Sequence, residues 1–193
     1  MSSTSVEAEI AALLDERALA RLIGRLSRGV DRLDRDLIAS CYTVDSQDHH
    51  GSFRGTGAEF ADYMCGGSPI SGASTSMIHI LGQMLFDVRS DEAFGETAFT
   101  FSMALTDEHP DQPFNAARAS GNLYQAVGRY VDYFKRVDGQ WLLHYRRVVV
   151  DWQGVIPGTN GDVPVGGVLS ARDRTDPVYD ECRQPQDSSV PER

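Results

Sequence analysis

Four long runs of β-branched, aromatic and aliphatic residues fill the second half of the chain: Met77–Val88, Phe94–Leu105, Asn122–Lys135 and Gln140–Trp152. Short polar breaks separate the first pair at Asp91–Glu92 and the last pair at Val137–Asp138–Gly139. Turns of that length join antiparallel neighbours, since a parallel neighbour needs a crossover of roughly a dozen residues or more. A longer connection, His109–Ser120, bridges the middle runs. The four runs therefore predict an antiparallel meander. It must curve strongly, because one face of the sheet has to wrap a core.

The first half supplies the cover. Residues 6–30 space Ile10, Leu13, Leu14, Leu22, Leu26 and Val30 mostly three or four apart, which predicts an amphipathic helix. Glu7, Glu9, Asp15, Arg17, Arg21 and Arg25 form its wet face, and Ser5 is placed to cap it. Asp34 is placed to cap a short helix from Arg35 to about Tyr42 that buries Leu37, Ile38 and Cys41. Gln47–Arg54 fits a short strand or ordered loop, residues 56–65 a third helix with Phe60 and Met64 on one face, and Gly66–Ser76 a loop.

Helices first and a meander second define an α+β class: N-terminal helices packed on a strongly curved antiparallel sheet, a cone around one internal pocket. At 193 residues a single domain is expected, spanning 1–154. From Val155 the chain turns to Gly, Pro, Asp and Arg without periodicity. Residues 155–193 are expected to form an extended tail that wraps the surface or a neighbouring subunit, with a disordered end from Pro185.

Charge narrows the partners. Eighteen Lys and Arg against 28 Asp and Glu leave a net charge of −10. That argues against nucleic acid or an anionic membrane surface, which need a basic footprint, while leaving room for a local basic site. No stretch approaches the roughly 20 apolar residues of a membrane span, and the first 30 residues show no secretory leader. Cys41, Cys65 and Cys182 are odd in number and lack C-x-x-C spacing, so neither a disulfide framework nor a zinc site is expected, and the reading is cytoplasmic. No phosphate loop, nucleophile elbow or other cofactor signature occurs, so no cofactor and no metal are expected.

Several strings carry a family resemblance. Gly29-Val30-Asp31-Arg32-Leu33-Asp34 closes the first helix. Cys41-Tyr42-Thr43-Val44-Asp45, followed by Asp48-His49-His50-Gly51-Ser52-Phe53-Arg54-Gly55, resembles a "YHPDA…DHGxFxG" pattern. His79 lies in the first long strand, and Asp138-Gly139-Gln140-Trp141 leads into His144-Tyr145-Arg146-Arg147-Val148-Val149-Val150-Asp151-Trp152. In this order, across about residues 8–152, they resemble the SnoaL-like, ketosteroid-isomerase-like superfamily, which includes scytalone dehydratase, hexachlorocyclohexane dehydrochlorinase and bile-acid 7α-dehydratase. The resemblance implies that a helix-end aspartate, a strand histidine and a last-strand arginine converge in the cone. By motif position these fall on Asp31, His79 and Arg146. Two departures stand out. Leu26 occupies a place where dehydratases of the class often carry tyrosine or another polar residue, and Thr43-Val44-Asp45 replaces the "HPD" element.

The residues themselves suit those roles. His79 shares a strand face with Met77 and Leu81; imidazole exchanges a proton near neutral pH, which fits a general base. Asp31 is a negative charge at a helix C-terminus, an unfavourable place that calls for a compensating partner. A carboxylate bonded to one ring nitrogen would fix the tautomer and stabilise the imidazolium. Arg146 alternates with His144, Val148, Val150 and Trp152, so it points inward and must be paired, either in a salt bridge to Asp31, Asp48 or another carboxylate or as a donor fork for a departing anion. His49 and His50 would face opposite sides of a strand, which makes them poor joint metal ligands. His50, at the "DHG" position, is expected to line the pocket as an auxiliary acid, while His109 and His144 are read as structural. Tyr42, Asp48, Phe53, Tyr124 and Trp152 are expected to line or anchor the substrate, with Phe99, Phe101 and Tyr130 as core or wall.

The resulting expectation is a cofactor-independent lyase for a small hydrophobic, aromatic or alicyclic molecule, working by His/Asp acid–base catalysis. Dehydration, dehydrohalogenation and deformylation are its variants. The alternatives are an isomerase or polyketide-type cyclase, and a non-catalytic small subunit of a ring-hydroxylating dioxygenase or a ligand-binding module. An exposed sheet face predicts a homodimer or homotrimer.

Overall fold

A computed structural model describes residues 5–66, 68, 74–105, 123–157 and 169–180. Most of the loop expected at Gly66–Ser76, the His109–Ser120 connection with His109, Cys182, and residues 158–168 and 181–193 of the expected tail lie beyond the described residues, while Val155 and Ile156 belong to the last strand rather than the tail.

Helix α1 (Val6–Asp31) begins where the Ser5 hydroxyl accepts the Ala8 backbone N–H at 3.2 Å. Its buried stripe is Leu19, Leu22, Ile23, Leu26 and Val30, and each fully buried aliphatic side chain contributes about 1.5–3 kcal/mol. The expected stripe runs further towards the N-terminus, yet Ile10, Leu13 and Leu14 are exposed, because the part of α1 that packs into the core begins at Ala18–Leu19. Asp34 caps α2 (Arg35–Ala39) through the Leu37 N–H, and Thr56 with Glu59 forms a reciprocal capping box on α3 (Gly57–Cys65).

The strands are β1 (Tyr42–His50), β2 (Phe53–Gly55), β3 (Ser74–Arg89), β4 (Glu92–Leu105), β5 (Leu123–Val137) and β6 (Gln140–Ile156). The expected meander is β3 to β6. The sheet order β2-β1-β6-β5-β4-β3 adds two strands, and β1 runs parallel to β6, so the sheet is mixed rather than wholly antiparallel. Here the chain departs from expectation: Tyr42 is the first residue of β1, not the end of a helix. Its neighbour Cys41 already accepts the Leu143 N–H at 2.9 Å, and β6 captures the following backbone. Helix α1 packs on β3 and β6, and α3 on β1; among the described residues no helix packs on the other face of the sheet.

Two bulges in β6 decide which side chains point inward. Tyr133 faces Tyr145 and Phe134 faces Leu143, so His144 is extra; Val127 faces Trp152 and Gly128 faces Val150, so Asp151 is extra. Each bulge reverses the side-chain alternation. Trp141 and Leu143 are buried before the first bulge, and Arg146 after it. Opposite the second, Gly128 lets the strands close up: a Cβ there would lie 2.1 Å from the Val149 carbonyl oxygen. A short helix α4 (Pro177–Asp180) follows an irregular segment from Leu169. Among the described residues no helix is long and apolar enough to cross a membrane.

Candidate active site

Asp31 is the last residue of α1, and β3 brings His79 against it. The two carboxylate oxygens serve one residue: Oδ1 lies 2.6 Å from the His79 ring Nδ1, and Oδ2 accepts the His79 backbone N–H at 3.1 Å. The ring is thereby fixed in position and, with a carboxylate at Nδ1, carries its proton there. Both side chains are buried, 6% exposed for His79 and 10% for Asp31. The Phe101 ring lies 4.8 Å from the imidazole. Nε2 has no hydrogen-bond partner among the described residues and belongs to the side chain lining a cavity of about 240 Å³.

That cavity is mostly apolar, walled by Met64, Met77, Phe99, Phe101 and Val148. Its polar edges are His79, His50, Ser52, Tyr130, Gln153 and Tyr124, whose hydroxyl donates to Gln153 Oε1 at 2.9 Å. Engineered apolar cavities of about 150 Å³ hold benzene, so this space accommodates a substituted ring. His50 stacks on Phe60 with centroids 5.0 Å apart.

Behind the wall lies a charged layer. Arg146 donates from Nε and Nη2 to the two oxygens of Asp132 at 2.8 and 2.7 Å, and its guanidinium covers the Tyr130 ring at 3.8 Å. Burial opposes the guanidinium's charge, but Asp132 outweighs it and holds Arg146 above its ordinary value. Asp48, fully buried, accepts the Tyr42 hydroxyl at 2.5 Å and lies 3.7 Å from His50 Nδ1. Burial pushes the Asp48 carboxyl up, yet His50, Arg146 and Tyr42 together hold it below the ordinary carboxylate range.

The sequence profile of the SnoaL-like domain matches residues 11–147. The chain belongs to the SnoaL-like domain family. No curated relative matches it in sequence. Among solved structures it is similar to the hexachlorocyclohexane dehydrochlorinase LinA-type3 of Novosphingobium barchaimii, at 17% identity and TM-score 0.66, over 81% of this chain and 99% of that one. A Novosphingobium aromaticivorans protein with a provisional scytalone dehydratase assignment is 19% identical with TM-score 0.61, over 82% and 97% of the chains. A protein of cystatin-like fold from Nostoc punctiforme is 17% identical with TM-score 0.55, over 72% and 92%. These likenesses show the fold.

Within this SnoaL-like cone the expected residues separate into three groups. The structure brings Asp31 and His79 together and puts His50 and Tyr124 on the cavity wall. Arg146, Tyr42 and Asp48 are corrections: they lie behind the lining, because Arg146 is drawn to Asp132 and Tyr42 to Asp48. Phe53 and Trp152 are corrections of a different kind. Phe53 packs on Phe60 and Tyr63 away from the cavity, and the bulge at Asp151 turns Trp152 to the outer face, where it is 51% exposed. Leu26 lies in the core and is not part of the lining. His144 bonds the Thr43 hydroxyl at 2.8 Å, and His49 faces Tyr145, on the side opposite to His50.

Three contributors went unread in the sequence. Asp132 alternates with Tyr124, Ala126, Tyr130 and Phe134 on the buried face of β5, a signal that was available. Gln153 reaches the cavity only because of a bulge, which no pattern announces. Arg172 comes from the aperiodic tail: its guanidinium bonds the Asp31 carbonyl at 3.3 Å and the Ser74 hydroxyl at 2.7 Å. Arg174 and Tyr179 bind the two oxygens of Asp34, so residues 169–180 lie against the α1–α2 junction, beyond the family match.

The lowered Asp48 value carries a pH consequence. A carboxyl held below its unfolded value stabilises the fold at pH above that value, and the contribution is lost as the pH falls through the folded one. Thermal stability should therefore fall as the pH drops below the ordinary carboxylate range, with a shallower slope in Asp48→Asn, as followed by circular dichroism. Equal slopes would remove Asp48 from the account.

Proposed function

We propose that this SnoaL-like protein is a cofactor-independent lyase acting on a small hydrophobic ring compound. The carrying observation is the Asp31–His79 pair, 2.6 Å apart, with the second ring nitrogen free beside a small apolar cavity. An elimination needs one well-placed base and help for a departing group. His79 Nε2 takes the proton from carbon; the C–H pair becomes the new double bond as the C–O or C–halogen bond breaks. Asp31 balances the imidazolium. His50, in the lining of the same cavity and backed by the Asp48 charge, protonates departing hydroxide or bonds departing halide. Arg146 acts from behind, as a fixed positive charge under Tyr130 rather than as a direct donor. The similarity in fold to a dehydrochlorinase supports the reading, and the open cavity argues against a non-catalytic subunit whose interior is filled.

The test is incubation with hydroxylated and halogenated alicyclic and aromatic compounds, read by mass spectrometry. Loss of water or hydrogen halide supports the lyase. Conversion at unchanged mass replaces it with an isomerase using the same base, and saturable binding without turnover makes the protein a ligand carrier.

We also propose a homo-oligomer. Ile80, Thr100, Val127 and Trp152 pair across four strands as one row on the face that no helix among the described residues covers. Ile80 and Trp152 are each more than half exposed. Trp152→Glu should shift the protein towards monomer in light scattering; a wild-type monomer would end this reading.

A further inference from the structure

A second concavity, about 880 Å³ and open, lies between α1 and the β5–β6 turn and shares no residue with the cavity at His79. Arg21, Arg25 and Arg28 line it from α1, Arg136 and Trp141 from the sheet. We propose that this cleft binds a small multivalent anion carrying phosphate or carboxylate groups.

The arginines are arranged as recognition groups rather than as a solvated salt-bridge face. Their spacing, four and then three residues, stacks them on one side of the helix, where like charges repel. In a chain with ten more acidic than basic residues, no carboxylate among the described residues lies within ion-pair distance of any of the three. Arg25 bonds only the neutral Ser40 hydroxyl, at 3.1 Å. The Nε of Arg28 is buried without a hydrogen-bond partner. Arg136 is already paired with Asp15 at 2.8 Å and Asp91 at 3.2 Å, and its guanidinium lies over the Trp141 ring at 4.2 Å. The guanidinium fork matches carboxylate and phosphate oxygens in pairs.

Gly24 adds an independent sign. It occupies the middle of α1, between Arg21 and Arg28, where glycine weakens a helix. No neighbour requires it: a Cβ there would meet nothing within 4 Å. Its position in the cleft lining keeps the floor at backbone level.

Pyrophosphate and citrate, titrated calorimetrically at constant ionic strength, test the site without reference to the lyase reading. At least one should bind saturably at one equivalent, with affinity reduced about tenfold or more in R21A/R25A, the loss expected for two charge-assisted contacts. R54A/R89A removes the same charge from exposed positions elsewhere and should leave the affinity unchanged. R21Q/R25Q repeats the test should the alanine pair fail to fold. Preference for one probe assigns phosphate or carboxylate. Absence of saturable binding by both, or equal weakening in the control pair, overturns the proposal.

Discussion

His79→Ala should lower kcat on an identified substrate by about 10²–10⁴-fold, the usual contribution of a positioned general base, with a much smaller change in KM. The imidazole is the one ring in the cavity held by a carboxylate at 2.6 Å, and the backbone N–H of the same residue grips the other oxygen. Because that backbone bond survives the substitution, Asp31 keeps a partner and the fold should persist. Asp31→Asn should fall in the same direction, since an amide at that position no longer supports the imidazolium and permits the wrong tautomer. Full activity in folded His79→Ala protein, measured on a substrate the wild type turns over, would remove His79 from the chemistry.

The largest effect on stability should come from the pair behind Tyr130. Arg146 and Asp132 are 3% and 1% exposed and bonded through two parallel contacts. Removing either partner leaves an uncompensated buried charge, which costs about 3–5 kcal/mol. In a chain of this size that corresponds to a fall in Tm of roughly 6–20 °C for Arg146→Ala or Asp132→Ala. The double replacement Arg146→Met with Asp132→Leu should recover most of the loss, because burying two charges carries a desolvation cost that apolar side chains avoid. Single variants that melt with the wild type would show the pair to be dispensable and the layer behind the cavity to be held otherwise.

Local chemistry accounts for most of what could be read in advance. Ser5 and Asp34 announce helix starts through their short acceptor side chains, and both cap as read. Alternation marks the four long strands, and turn residues such as Asp138–Gly139 mark their ends; both adopt positive φ at the β5–β6 turn. Asp31 was conspicuous because an acid at a helix C-terminus needs a reason, and His79 supplies one. Register was less legible. The extra residues His144 and Asp151 each shift β6 by one position, and that alone exchanges Trp152 for Gln153 at the cavity. The parallel pairing of β1 with β6 joins residues about 100 apart, where no local pattern operates. Arg172 reaches Asp31 from a segment with no periodicity at all.

The central claim is that a carboxylate holds His79 with its proton on Nδ1 and a bare Nε2 towards the cavity. Nitrogen-15 chemical shifts of the His79 imidazole, followed through a pH titration, measure this directly. In the singly protonated ring the proton should sit on Nδ1, with that preference lost in Asp31→Asn. A ring protonated at Nε2 in the wild type, or one indifferent to Asp31→Asn, would contradict it.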